Sequence, residues 1–160
     1  MLHAGRVPPE HAALWGVPCI VKECFELPGM PFTAGIATRA GMVGVVASPV
    51  MQRVLDAGMP IIGTTNVSEA CMFHESNNTV YGQTRNPFDV SRTAGGSSGG
   101  CGAGVASRMA PIAITSDVGG STRLVHACNK RNPVMRAARI ERWLDKQYCT
   151  GDVQGRRYIQ

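Results

Sequence analysis

Lysine is almost missing from most of this chain: Lys22 is the only one in the first 123 residues. Aromatic residues are scarce as well, at 6% of 160. A core built on large rings is thereby excluded, and one packed from small side chains is expected. No apolar run approaches the ~20 residues that span a bilayer, so no membrane segment is read. The N-terminus has no basic start followed by an apolar core, so no signal peptide is read either. The six cysteines (Cys19, Cys24, Cys71, Cys101, Cys128, Cys149) form no C-x-x-C pair and have no histidine at zinc-finger spacing. That argues against a structural metal and favours reduced thiols in a cytoplasmic setting. Net charge is missing from residues 1–123, where eight Lys/Arg balance eight Asp/Glu. Residues 124–160 hold eight basic and three acidic residues and so carry the whole excess of +5. They have few aromatics and no binding motif, so they read as a solvated, disordered basic tail, and no nucleic-acid partner is expected.

What the chain does have is glycine, 19 in all, concentrated in one stretch. Gly95-Gly96-Ser97-Ser98-Gly99-Gly100 and Gly119-Gly120-Ser121 flank a small-residue segment and a short apolar run. Paired glycines let backbone N–H groups come close to a ligand. A serine beside such a pair has the makings of a nucleophile with an oxyanion site next to it. A flexible Gly/Ser linker is the blander reading, but Cys101–Ala106 and Ile112–Ile114 are too apolar for one.

Taken in order, residues 1–15 are an irregular lead-in with Pro8-Pro9. Gly16–Val21 is a buried strand ending at Lys22-Glu23. Leu27–Gly44 is a long loop of the kind that lines sites. Ser48-Pro49 opens a helix stopped by Gly58. Pro60–Thr64 is a second buried strand, and Asn66 caps a short helix over Val67–Met72. His74–Arg92 is polar and turn-rich. Cys101–Met109 is a small-faced helix whose N-terminus faces the serine cluster. Pro111–Ser116 is a third buried strand, ending at Asp117. Alternating strands and helices predict an α/β fold, a mixed open sheet flanked by helices. Past Pro133 one helix is expected, with Ile140, Trp143 and Leu144 on one face.

Three separated motifs, in order, resemble the amidase signature family: Gly16–Glu23 as a G-x-P-x-x-V-K-[DE] strand, the GGSSGG cluster at 95–100, and Asp117-Val118-Gly119-Gly120-Ser121-Thr122-Arg123. The wording between them is most similar to the fatty-acid amide hydrolase branch, in Gly29-Met30-Pro31, Ser68-Glu69, Cys71-Met72, Glu75-Ser76, Tyr81-Gly82 and Asn86-Pro87. The resemblance covers 16–123, read as a partial amidase-signature domain, and stops at Arg123. It implies a Ser–Ser–Lys triad: Ser121 as nucleophile, Ser97 as proton relay, Lys22 as base and later acid. It also implies a cis Gly96–Ser97 peptide, backbone donors at Val118, Gly119, Gly120 and Ser121 for the oxyanion, and supporting roles for Ser98, Asp117 and Arg123. A lysine accepts a proton only when neutral, and burial favours that form. Glu23 must therefore point away from it. The implied reaction is cleavage of a small-molecule carboxamide, such as a fatty-acid amide, through an acyl-enzyme, with no cofactor and no metal.

Other readings stay open on sequence. One is an α/β-hydrolase with Ser98, Asp117 and His126. Another is a phosphate-binding glycine loop at 95–104. A third is an inactive fragment or association module, with homo-oligomerisation left open. Within the family, an amidotransferase A-type subunit is the remaining choice. His11 and His74 are read as structural.

Overall fold

A computed structural model describes residues 14–129. The helix expected after Pro133, with His11, Cys149 and most of the lead-in and tail, lies outside the described residues. The organising strand is β1 (Cys19–Lys22), the middle of a three-stranded parallel sheet between β2 (Ile61–Thr65) and β7 (Ile112–Ile114). The sheet expected to be mixed is therefore parallel among the described residues. All of β1 is buried, as a central parallel strand covered on both faces requires.

Side chains alternate along a strand, and that parity sorts β1. Cys19 and Val21 join Leu27, Met51, Val54, Met59 and Ile114 in the core. Met51 and Val54 come from α1 (Pro49–Asp56), which starts after Ser48 and ends before Gly58, whose φ is +74°. Ile20 points to the opposite face, onto Gly104 of α2 (Gly99–Ala106). Lys22 shares the parity of Ile20, so its amine is delivered to the α2 side.

Helix α2 is glycine-rich because neighbouring backbone and side chains crowd it. A Cβ on Gly100 would sit 2.5 Å from both Asn66 N and Asn66 O, and one on Gly99 would sit 2.6 Å from Ser76 Oγ. Gly102 lies against Val125 of α3 (Arg123–Cys128). Val125 is buried, and Asn129 behind it donates to Ala94 O (2.9 Å) and Val125 O (2.8 Å). Residues 124–129, given to a disordered tail on charge balance, are thus a docked helix and its cap.

Two further expectations are corrected. No α-helix covers Val67–Met72; a 3-10 turn spans Glu69–Cys71, with Ala70 and Cys71 in the left-handed region at φ 50° and 60°. The Asn66 side chain accepts Val67 N at 2.9 Å but also holds Asn78, Gly82 and Thr84, tying this segment to the next one. In the polar stretch, two small hairpins form: β3 (Asn77–Asn78) with β4 (Gly82–Gln83), and β5 (Arg85–Asn86) with β6 (Asp89–Thr93). Three of these strands are two residues long, too short for alternation to show in a sequence.

Candidate active site

Three elements converge behind β1. Lys22 ends the strand, Ser97 lies in the turn before α2, and Ser121 lies in the loop between β7 and α3. Lys22 and Ser97 are fully buried and Ser121 nearly so. Lys22 Nζ donates to Ser97 Oγ at 2.6 Å, and Ser97 Oγ donates to Ser121 Oγ at 2.8 Å. The result is one unbroken line of hydrogen bonds from amine to outer hydroxyl. Each hydroxyl can both donate and accept by rotating its hydrogen, so a proton can pass along this line in either direction. The Gly96–Ser97 peptide is cis. Ser76 supports the turn by accepting Gly99 N at 2.7 Å and donating to Ser97 O at 3.1 Å.

Lys22 Nζ has a second acceptor that sequence reasoning missed: Ser116 Oγ, at 2.8 Å. A lone serine at a strand end gives no signal of its own. Glu23 does point away. Its carboxylate accepts Thr33 N (2.6 Å), Thr33 Oγ1 (2.8 Å), Ala34 N (2.7 Å) and the Tyr81 hydroxyl (2.9 Å). The long loop after β1 is thereby pinned, and the carboxylate is kept from pairing with the amine.

Asp117 organises the loop that carries Ser121. Its two oxygens take Arg123 Nε and Nη2, each at 3.0 Å, together with the N–H groups of Gly120 (2.7 Å), Thr122 (3.2 Å) and Arg123 (3.1 Å). The Arg123 side chain first, then these amides, hold its carboxyl well below the usual carboxylate range against a partial desolvation cost. Because Gly120 N–H is spent on Asp117, the amides of Val118, Gly119 and Ser121 are left as the oxyanion candidates in this loop state. Ser98 Oγ donates to Ser116 O at 3.3 Å, a long bond.

The same geometry answers two of the rival readings. Ser98 turns to Ser116 and Asp117 to Arg123, so Ser98, Asp117 and His126 are not joined. The first amides of α2 are also occupied, Gly99 N by Ser76 Oγ and Gly100 N by Asn66 O. They are not free to cradle a phosphate.

Fold and site together define a parallel α/β protein with a buried lysine–serine–serine line at its strand ends. A family model described as Amidase matches residues 3–130, and the chain belongs to the amidase signature family. The match runs beyond the 16–123 stretch that carries the motifs. The chain is 46% identical over 110 residues to the A-type subunit of glutamyl-tRNA(Gln) amidotransferase from Acidothermus cellulolyticus, covering 69% of this chain and 22% of the relative. It is 42% identical over 109 residues to human fatty-acid amide hydrolase 2, covering 68% of this chain and 20% of the relative. The crystal structure of the Thermotoga maritima A-type amidotransferase subunit superposes with a TM-score of 0.66 at 33% identity, over 69% of this chain and 25% of that one. The chain thus spans about a fifth of the length of these curated relatives. Similarity to the amidotransferase subunit is as high as to the fatty-acid amide hydrolase, so the intervening wording that favoured the latter does not separate them.

Proposed function

We propose that this chain carries the nucleophile and base of a serine amidase acting on a carboxamide through an acyl-enzyme. Ser121 Oγ attacks the carbonyl carbon while its proton passes to Ser97 Oγ and the Ser97 proton passes to Lys22 Nζ. The carbonyl oxygen takes up the negative charge, facing the amides of Val118, Gly119 and Ser121, with Gly120 joining if it leaves Asp117. One such donor contributes about 3–4 kcal/mol to the transition state. Lys22 returns the proton through Ser97 to the leaving nitrogen, the C–N bond breaks, and water repeats the sequence to release the acid. The observation that carries this reading is the unbroken line from Lys22 Nζ to Ser121 Oγ.

A fatty-acid amide is the finer reading of the substrate, to be tested by comparing long-chain and short-chain primary amides. Glutaminase activity would instead favour the amidotransferase type. The association-module reading is favoured by the exposed apolar side chains Val45, Val46, Met72, Phe73 and Val118. A fluorophosphonate, read by intact mass, separates enzyme from module. One adduct is expected on the wild type and none on Ser121→Ala. Lys22→Ala should label more slowly by roughly 10²–10⁴-fold, the ordinary worth of a general base. No adduct on folded, monodisperse wild type would sink the hydrolase reading and leave the module.

A further inference from the structure

Glu23 is buried next to Lys22 in the chain, and its carboxylate does more than avoid the amine. Donors fill both of its oxygens. Thr33 N, Thr33 Oγ1 and the Tyr81 hydroxyl share Oε1, and Ala34 N alone takes Oε2. The Glu23 N–H donates to Thr65 O at 3.1 Å, which fixes the residue at the end of β1. Ala34 is gripped on both sides: Glu23 takes its N–H, and its carbonyl accepts Ala70 N at 2.8 Å. Ala34 lies in the left-handed region at φ 51°, as do Ala70 at 50° and Cys71 at 60°. Residues with a Cβ persist there only where surrounding bonds over-determine the backbone. The bonds from Glu23 to Ala34 and from Ala34 to Ala70 are of that kind.

From Ala70 the chain reaches Ser97 with little slack. Met72 N returns to Glu69 O at 3.1 Å, and Phe73 N to the buried Ser68 Oγ at 3.2 Å. The backbone of His74 and Glu75 then lies against Gly96, where a Cβ would sit 2.5 Å from Glu75 N and 2.7 Å from His74 C. Ser76 closes the path. Its N–H donates to Gly95 O at 3.0 Å, and its hydroxyl bridges Ser97 O (3.1 Å) and Gly99 N (2.7 Å). Residues 74–76 thus clasp the backbone of Ser97, and Glu23 holds the start of that same segment through Ala34.

We propose that Glu23 is a positioning residue for Ser97: acting through Ala34, Ala70 and residues 70–76, its carboxylate keeps the Ser97 hydroxyl on the line between Lys22 and Ser121. Lys22 and Glu23 are consecutive, so one strand end gauges both partners of the Lys22–Ser97 bond, the amine directly and the hydroxyl through the loops. The catalytic consequence rests on the function proposed above; the mechanical link does not. The role calls for a carboxylate, which accepts at both oxygens and donates at neither. A glutamine that keeps Thr33 and Tyr81 on its oxygen turns its NH2 towards Ala34 N, donor against donor. Turned the other way, its NH2 meets three donors.

The test compares the 160-residue protein with Glu23→Gln, Ser76→Ala and the double variant. Fluorophosphonate labelling is followed against probe concentration, and amide hydrogen exchange is read in peptides covering 70–76 and 95–99. In Glu23→Gln the rate of bond formation should fall roughly tenfold with probe affinity unchanged, since a misplaced reacting group costs rate before binding. Exchange should rise in both segments and stay as in wild type over α1, which takes no bond from Glu23. The double variant should label within about twofold of Ser76→Ala, because the path is already cut at its far end. A further tenfold loss in the double variant overturns the proposal. So does Glu23→Gln labelling within about twofold of wild type, or exchange that rises only around Ala34. If Glu23→Gln does not fold, Tyr81→Phe decides: it removes one donor from the same carboxylate at an exposed position. A fall of about two- to threefold in the same rate is then expected, and an unchanged rate overturns the proposal. If the wild type never labels, the function fails by that result. Exchange at 95–99 in Glu23→Gln, or in Tyr81→Phe, then decides the link: raised upholds it, unchanged overturns it.

Discussion

Ser116 offers the sharpest test of how the lysine is held. Its hydroxyl is one of two side-chain acceptors for Lys22 Nζ, the other being Ser97 Oγ. In the proposed reaction Lys22 is neutral at the start and gains a proton as Ser121 attacks. A neutral hydrogen bond contributes about 0.5–1.5 kcal/mol and one to a charged group about 1.5–3 kcal/mol. Only the difference, roughly 1–1.5 kcal/mol, lowers the barrier, because strength common to both states cancels. Since ~1.4 kcal/mol is tenfold in rate, Ser116→Ala should slow fluorophosphonate labelling about tenfold. Ser116 acts through Lys22 and not on the acyl group, so the loss belongs in the rate of bond formation, with probe affinity unchanged. It should also disappear in a Lys22→Ala background, where there is no amine left to hold. Labelling kinetics against probe concentration, on four proteins matched by thermal melt, decide it. A full tenfold loss in Ser116→Ala/Lys22→Ala relative to Lys22→Ala would refute the positioning role, as would a single-variant rate within twofold of wild type.

Two other outcomes follow from the packing and charge around the site. The Asp117 carboxyl is depressed in the folded state, so its contribution is fully present above the unfolded value near ~3.9 and is lost as pH falls below it. Asp117→Asn should therefore melt lower than wild type at neutral pH, with the gap narrowing below about pH 4; a gap that stays constant under acid would refute this. Gly100→Ala should lower the denaturant midpoint by a stability loss of about 1–3 kcal/mol, because the new Cβ meets Asn66 backbone at 2.5 Å and cannot be avoided by a side-chain rotation; an unchanged midpoint would show that the helix shifts freely.

The strand ends were legible in the sequence because apolar blocks stop abruptly there, at Lys22-Glu23 and before Asp117. The glycine cluster at 95–100 marked where backbone passes close to backbone, and the fold bears that out at Gly96, against Glu75, and at Gly100, against Asn66, whereas Gly99, Gly102 and Gly104 make room for side chains. Local propensity misled at Val67–Met72, where Ala70 N is claimed by Ala34 O rather than by a helical partner. Charge balance misled at Leu124–Asn129, because one buried Val125 and the Asn129 side chain outweigh neighbouring basic residues that lie farther along the chain. The Lys22–Ser116 contact left no trace in the sequence. Its meaning comes only from long-range placement, which no window of a single sequence reports.

The pairing of β1 with β7 fixes more than a sheet. Cys19 stands beside Ile112, Ile20 beside Ala113 and Val21 beside Ile114, so the chain leaves β7 level with Lys22 and reaches Ser116 within two residues. A slip of one residue moves a strand by ~3.3 Å and turns every side chain to the other face. That step is larger than the whole range over which a hydrogen bond survives. The distance between amine and hydroxyls is therefore gauged by backbone spacing. Core side chains such as Val21 and Ile114 can be exchanged for others of similar volume, but strand length cannot change: one residue deleted between Ile112 and Ser116 would keep a sheet and lose the alignment.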